Sequence, residues 1–342
     1  MHRCLQLARL AEGRVTPNPM VGAVLVYGDR IIGEGYHKEY GGAHAEVHCI
    51  RSVKVDDQHF IPASTLYVSL EPCAHFGKTP PCVDLIVEHQ IKKVVIGCRD
   101  PFAQVNGKGI KNLKAANIDV TVGVLEKECV ELNKRFFLFN TEHQPYIILK
   151  WAKSADNKIA PESRERFAIS GEKVNRMVHQ WRSQEAAILV GTNTAAFDDP
   201  ELTTRLWPGD NPVRLVVDLH LRLPSSLKLF NGQVKTIVFN QHRHEEKDNV
   251  LYYQVAEDSS VVHQITNALY QMKLQSVLVE GGAQLLQSFI DEGMWDEARV
   301  ITNEQLTIGS GIQAPQLNNA FLVNRETVGT DSIHIYKPKQ SI

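Results

Sequence analysis

No apolar run in the 342 residues approaches the ~20 needed to cross a bilayer, so no membrane-spanning helix is expected. Charge of one sign is missing as well: 37 basic side chains face 39 acidic ones, for a net charge of -2. Residues 1–143 carry 17 basic against 16 acidic side chains, and the remainder 20 against 23. Neither half is a basic module, which argues against a nucleic-acid partner. The first ten residues set arginine between apolar positions at helical spacing, unlike a secretory leader, so a cytoplasmic protein is expected. Six cysteines are too few in so long a chain for a disulfide scaffold. Cys4, Cys49, Cys98 and Cys129 fall on apolar faces or strand ends and read as buried thiols. No G-x-G-x-x-G follows a strand, so a Rossmann fingerprint is lacking, and no repeat or low-complexity segment is visible.

Two short stretches do carry chemistry. His44-Ala45-Glu46 and Pro72-Cys73, with Cys82 nine residues further on, supply one imidazole and two thiols. That donor set suits a tetrahedral zinc with three protein ligands and a fourth position left for water. Glu46, two residues after the histidine, is a poor fourth ligand but is placed to move protons. H-x-E followed by P-C marks the zinc nucleobase deaminases, although there the second cysteine comes three residues after the first. His44 is expected to open a helix. Residues 64–70 read as a strand, and Pro80-Pro81 before an apolar-periodic run predicts a helix beginning at Cys82, so both thiols are expected near helix starts. His44 and His48 only superficially resemble the H-E-x-x-H of zinc proteases, because Glu46 is displaced by one position and the cysteines would be left without a role. A closed structural zinc site would need a fourth protein ligand.

Strand and helix patterns alternate along the whole chain, an α/β organisation. The first part reads as a helix over 1–12, a hairpin about Gly28-Asp29, then helices near 44, 82 and 109 interleaved with strands at 64–70, 93–97 and 118–122. A single closing helix is expected over 126–140. Thr141-Glu-His-Gln-Pro145 is polar and ends in proline, which places a boundary between residues 1–143 and 146–342. The second part opens with a strand at 146–151. Further strands are expected at 187–190, 213–217, 236–239, 276–279 and 298–302, with helices at 171–182, 261–272 and 284–292. Residues beyond Asn318 carry little pattern. In Val279-Glu-Gly-Gly282 a strand runs into two glycines and a helix; this fits a tight turn, or a helix start that receives pyrophosphate.

Thr16-Pro-Asn-Pro-Met-Val-Gly22, His44-Ala-Glu-Val47 and Glu71-Pro-Cys-Ala-His-Phe-Gly-Lys-Thr-Pro-Pro-Cys82 closely resemble the bifunctional deaminase/reductases of riboflavin biosynthesis, the RibD family. Lys150-Trp-Ala-Lys-Ser154, Gly191-Thr-Asn-Thr194, Phe197-Asp-Asp-Pro-Glu-Leu-Thr-Thr-Arg205 and Val279-Glu-Gly-Gly282 resemble its reductase half. The resemblance implies a cytidine-deaminase-like three-layer domain over 1–143 and a dihydrofolate-reductase-like domain over 146–342, with zinc and NADPH as cofactors. It implies deamination of 2,5-diamino-6-(5-phosphoribosylamino)pyrimidin-4(3H)-one, then reduction of 5-amino-6-(5-phosphoribosylamino)uracil to the ribityl product. Small-molecule phosphoribosylaminopyrimidines would be the partners, with homo-oligomers formed through the reductase domain. Carried over residue by residue, His44, Cys73 and Cys82 hold zinc, and Glu46 is the proton carrier. Asn18 is the candidate for fixing the ribose. Ala152, Thr194, Asp198, Gly282, Ala283, Gln284 and Leu285 match cofactor contacts, while Leu202, Arg205 and Glu280 match substrate contacts. Lys150 and Asp198 are expected nearest the carbon that is reduced. Where the family commonly reads S-G-E-S-x-W-I-[ST], this chain has Ser163 to Ser170 without the tryptophan and second serine, and Arg166 is expected to meet the substrate's phosphate instead. Asp218-Leu219 stands where the family often has Asp-Ser, removing a hydroxyl. The alternative is a zinc nucleobase deaminase whose second domain is a non-catalytic regulatory appendage.

Overall fold

A computed structural model of the chain describes residues 1–76, 80–102, 105–163 and 168–339. It divides into two units, Met1–His143 and Gln144–Ile342.

In the first unit α1 (His2–Arg9) precedes an antiparallel hairpin of β1 (Gly22–Tyr27) and β2 (Arg30–Tyr36), whose register shifts between Leu25 and Val26 before the Tyr27–Arg30 turn. Next come α2 (Ala45–Arg51), β3 (Thr65–Leu70), α3 (Cys82–Glu88), β4 (Lys93–Cys98), α4 (Lys108–Ala115) and β5 (Asp119–Val122). The sheet order is β2-β1-β3-β4-β5, antiparallel around β1 and parallel from β3 onward. Residues of α2, α3 and α4, such as Cys49, Ile86 and Leu113, close over Leu25, Val68 and Ile96. Leu5 of α1 packs with Leu70, Cys98 and Cys129 in a separate cluster. Helix α2 lies unusually close to β2: a Cβ on Gly35 would stand 2.2 Å from the Cys49 nitrogen, so only glycine permits this seat. All six cysteines are free thiols, and Cys4, Cys49, Cys98 and Cys129 are buried as expected.

The single closing helix expected over 126–140 is two helices, α5 (Glu126–Leu132) and α6 (Lys134–Thr141), broken at Asn133. The physical reason is a pair of long-range hydrogen bonds. The Met20 N–H donates to Asn133 Oδ1 at 2.8 Å, and Asn133 Nδ2 donates to the Met20 carbonyl at 2.9 Å. An asparagine side chain that copies a β-ladder contact outweighs helix continuity here.

The second unit contains β6 (Tyr146–Ser154), β7 (Lys158–Pro161), α7 (Glu172–Gln184), β8 (Ala187–Gly191), α8 (Thr192–Asp198), β9 (Val213–Val217), β10 (Thr236–Asn240), β11 (Glu245–Lys247) and β12 (Val250–Gln254). It continues with α9 (Val261–Gln271), β13 (Ser276–Val279), α10 (Ala283–Asp291), β14 (Glu297–Asn303), β15 (Gly311–Gln313), β16 (Ala320–Val328) and β17 (Asp331–Pro338). Its main sheet runs β11-β12-β10-β9-β8-β13-β6-β14-β17-β16, parallel from β12 through β14. Ile147, Leu149 and Val279 face α9 and α10, represented by Leu269 and Phe289. On the other face Ile188, Val190 and Val216 pack with Ala195 of α8. The tail beyond Asn318, nearly patternless in sequence, is a long hairpin that extends this sheet through β14 and β17. Both faces of β16 are exposed along most of its length, which removes the alternation of buried and exposed positions that would have announced it. The elements α8, β7, β11, β12 and β15 were likewise not expected; they are short.

Asn133 is 4% exposed, so truncation deletes two buried hydrogen bonds, a loss of about 2 kcal/mol. Asn133→Ala should lower the calorimetric transition of the first unit while leaving that of the second in place.

Candidate active sites: a thiol–imidazole centre and a buried charge cluster

The three candidate metal ligands arrive from different elements. His44 is the N-cap residue of α2, with an extended backbone (φ -73, ψ 166). Cys82 is the first residue of α3. Cys73 sits in the segment after β3, not at a helix start of its own, but the Cys82 N–H donates to its Sγ at 3.3 Å, so it too faces the start of α3. His44 Nδ1 lies 3.3 Å from Cys82 Sγ and 3.4 Å from Cys73 Sγ, and all three donor atoms fall within 4.8 Å of one another. Around a tetrahedral zinc with bonds of about 2.1 Å to nitrogen and 2.3 Å to sulfur, donors stand roughly 3.6 Å apart. The residues present fit that ion.

Electrostatics point the same way. The Cys82 thiol donates to Cys73 and, against burial, brings the Cys73 thiol down to about 4; His44 and the Cys82 N–H assist. Sharing that proton, then burial, pushes Cys82 upward. A dication that displaces the shared proton leaves two thiolates. Glu46 is 3% exposed, and burial raises its carboxyl, with the charge of Cys73 adding to the effect.

The segment bearing Cys73 is fastened by Glu71. Its carboxylate accepts from the main-chain N–H of Asp100 (3.3 Å), Gly107 (3.0 Å) and Ile110 (3.1 Å), supplying from a distance the N-terminal cap that α4 lacks locally. Gly109 lets the two approach: a Cβ there would stand 2.0 Å from the Pro72 carbonyl oxygen. Asp100, also buried, is pushed up to about 7 by burial, with Glu71 and Cys73 contributing. Asn18 Nδ2 and His37 Nε2 are 3.0 Å apart, and the other ring nitrogen of His37 bonds the Ala43 carbonyl at 3.0 Å. The His37 ring stands edge-on to His44, 5.5 Å between centroids.

In the second unit the parallel strands β8, β13 and β6 are neighbours, and ligands of open parallel sheets gather at the carboxyl ends of strands. Glu280, the first residue after β13, has a side chain only 4% exposed. Arg182 of α7 grips it with both prongs, Nε to Oε1 at 2.7 Å and Nη2 to Oε2 at 2.8 Å, and Lys150 Nζ of β6 lies 3.5 Å away. Burial alone would raise the Glu280 carboxyl; Arg182 and Lys150 overcome it and hold the group down at about 2. Arg182 also donates Nη1 to the Thr203 carbonyl at 3.2 Å. Gly281 and Gly282 follow with φ of 149 and 77, values that exclude most side chains. Thr194 packs against them, its nearest atoms 3.1 and 3.2 Å from where a Gly281 Cβ would be. Helix α10 has no side-chain cap on its first N–H groups, a start suited to a phosphate.

The region described as "Cytidine and deoxycytidylate deaminase zinc-binding region" matches residues 1–98, and the "RibD C-terminal domain" matches residues 145–317. The riboflavin biosynthesis protein RibD of Aquifex aeolicus is 37% identical over 352 residues, spanning 98% of this chain and 97% of that protein. The chain belongs to the RibD family. Among solved structures, a diaminohydroxyphosphoribosylaminopyrimidine deaminase/5-amino-6-(5-phosphoribosylamino)uracil reductase from Thermotoga maritima superposes with a TM-score of 0.90 at 36% identity, covering 99% of this chain and 97% of that one. A RibD from Acinetobacter baumannii gives 0.88 at 30% identity, covering 99% and 98%.

Within this RibD-family chain the expected site residues divide into several groups. His44, Cys73 and Cys82 converge, as do Lys150 with Glu280 and Thr194 with Gly282. Leu285 reaches the β8 turn, 3.7 Å from where a Gly191 Cβ would stand. Ala152 lies on β6 opposite Ile301, Ala283 is half-buried at the start of α10, and Gln284 is exposed beside it. Asp198 is the exposed last residue of α8. Arg205 is exposed and lies 3.6 Å from Glu201. Leu202 is 2% exposed, packed with Ile188 and Val216 and with φ 52, so a ligand contact there would be made through its main chain. Arg166 lies outside the described residues. Asp218 is used locally, accepting from the N–H groups of Arg222 and Leu223 at 3.1 and 2.9 Å. Sequence reasoning singled out neither Arg182 nor His37. A glutamate following a buried strand was a signal that some cation must meet it, but nothing local named a residue 98 positions away.

Cys82→Ser should abolish zinc retention, read by elemental analysis, and lower the melting temperature of the first unit, because metal binding is coupled to folding. Glu280 makes a pH prediction for the second unit. Its folded value near 2 lies below the ordinary 4.5. Its contribution is therefore complete above about pH 4.5 and is lost as pH falls toward 2. Acid titrations of wild type and Glu280→Gln should converge across that window, by roughly 3 kcal/mol, and parallel curves would contradict the pairing.

Proposed function

We propose that His44, Cys73 and Cys82 hold the zinc of a deaminase in the first unit, and that the Lys150–Glu280–Arg182 cluster and the Gly281-Gly282 turn form the NADPH-dependent reductase site in the second. The observation that carries this reading is the convergence of imidazole and two thiols around a buried acid, Glu46, in a chain whose relatives match both units end to end. The substrate of the first step is 2,5-diamino-6-(5-phosphoribosylamino)pyrimidin-4(3H)-one, and that of the second is 5-amino-6-(5-phosphoribosylamino)uracil. The Thermotoga maritima protein bears the names of both activities. A second unit without activity finds no support, since the structural match covers 99% of the chain.

Zinc, when bound, supplies the positive charge that makes water a nucleophile near neutral pH. Glu46 accepts the proton that water gives up and passes protons to the ring nitrogen and the leaving amine. Burial keeps bulk water from competing for them. Asn18, braced by His37, fixes the ribose. In the second unit NADPH supplies the hydride. The uncapped start of α10, with Gly282, Ala283, Gln284 and Leu285, holds its phosphates, with Ala152, Thr194 and Asp198 alongside. Lys150, kept in place by Glu280, points its remaining N–H groups at the sugar oxygen where charge develops. Arg182, Arg205, the Leu202 main chain and Arg166 orient the substrate. The protein works in the cytoplasm, as a homo-oligomer assembled through the second unit. In support of assembly, Phe321, Leu322 and Val323 are about half exposed on the edge strand β16, a surface that favours pairing. No helix among the described residues is long and apolar enough to cross a membrane.

The two activities should be separable. Glu46→Gln keeps shape but cannot carry protons, so ammonia release should fall ~10²–10⁴-fold with zinc retained, while NADPH oxidation on the deaminated intermediate continues. Lys150→Ala should show the reverse. Loss of both activities in a folded, zinc-loaded Glu46→Gln protein would disprove the two-site reading.

A further inference from the structure

Helix α7 brings Arg182 to Glu280, and its position along the sheet is set by residues that touch neither. At its start, Asn303, the last residue of β14, donates Nδ2–H to the Ile169 carbonyl at 2.7 Å. Asp331, paired with Asn303 across β14 and β17, accepts the Gly171 N–H at 2.7 Å. Toward its end, the Arg299 guanidinium of β14 lies 4.8 Å from the centre of the Trp181 ring and is itself held by Glu297 at 2.7 Å. From Gly171 to Trp181 is about 15 Å of helix; from Asn303 back to Arg299 is about 13 Å of strand. The two spacings agree, so α7 runs antiparallel to β14 with an anchor at each end. A slip by one helical turn, about 5.4 Å, would break both. Arg299 is also the cross-strand neighbour of Lys150, which ties the second anchor to the strand bearing the lysine.

Asp331 is 1% exposed, and its Oδ1 has no hydrogen-bond partner among the described residues. A buried carboxylate satisfied on one oxygen alone is a poor stabiliser, and an apolar residue would serve the fold as well. Its consistent use is the bond to Gly171, at the positive end of the α7 dipole. Asn303 is likewise committed: its Oδ1 accepts from the N–H groups of Gln305 and Leu306 at 3.1 and 3.2 Å, leaving its Nδ2 for Ile169.

We infer that Asp331 and Asn303 are positioning residues of the reductase site, holding the start of α7 in register on β14 so that Arg182 closes on Glu280 beside Lys150. The inference rests on the reading of that cluster as the reductase site. Neither residue touches the cluster, so their loss should weaken ligand binding more than turnover. Removing one such bond should raise the KM for 5-amino-6-(5-phosphoribosylamino)uracil roughly 3–10-fold, with kcat little changed. Asp331→Ala deletes the acceptor. Asp331→Asn keeps an oxygen for Gly171 and should restore KM. Asn303→Asp keeps the turn at Gln305 and Leu306 but loses the donor to Ile169, giving a second variant that spares the turn. Ammonia release by the first unit, measured on the same full-length preparations, normalises for active protein. Wild-type KM in both Asp331→Ala and Asn303→Asp, or a reduced kcat at unchanged KM, would overturn the proposal. Lys150→Ala run in parallel distinguishes the failures: normal reduction by that variant overturns the site reading and this proposal together. Its loss alongside an unchanged KM in Asp331→Ala overturns the positioning role alone.

Discussion

A carboxylate taken out of water must be met by donors or cations, and each unit of this chain is arranged around one such group. Glu71 and Glu280 both stand immediately after a central strand, β3 and β13, and both are buried. Glu71 is answered by three main-chain N–H groups, and Glu280 by a bidentate arginine and a lysine. In the first unit the consequence is the position of the Cys73 segment. In the second it is the orientation of Lys150. Breaking either arrangement from one side would strand a buried charge, which costs far more than an exposed ion pair contributes.

The two answers differ in kind because the two chemistries differ. A metal centre needs rigid placement of soft donors, and backbone N–H groups at the start of α4 provide it without adding charge beside the thiols. A site for anionic ligands and a reducible sugar, as proposed for the second unit, benefits from cations, and the Glu280 cluster keeps two of them together without mutual repulsion. Arg299, the lateral neighbour of Lys150, takes its own carboxylate from Glu297, so three cations share this part of the sheet without competing for one acid.

Much of this was legible from the sequence, for identifiable reasons. The candidate metal ligands sit in short segments of distinctive composition, and the strands and helices bearing them have clean periodicity, so His44, Cys73, Cys82 and Glu46 could be named before any fold was known. Arg182 could not. Its partner is 98 residues away, and on α7 it reads as an ordinary polar position next to Trp181. The break at Asn133 was hidden for the same reason, because the Met20 main chain that competes with the helix lies 113 residues earlier. The β16–β17 hairpin failed differently: an edge strand exposed along most of its length carries no burial pattern to read. Local chemistry was visible, while contacts made by topology were not.

The contact between Gly109 and the Pro72 carbonyl leaves the metal-binding segment without slack. At a separation of 2.0 Å from a would-be methyl carbon, the Pro72 carbonyl is main chain with no rotamer to change, and Pro72 is bonded directly to Cys73. The residues on which the candidate metal centre depends are therefore more, in an inherited sense, than the three that could donate electrons. A single hydrogen-to-methyl change on α4, at a residue that donates nothing, would register as a lesion of that centre.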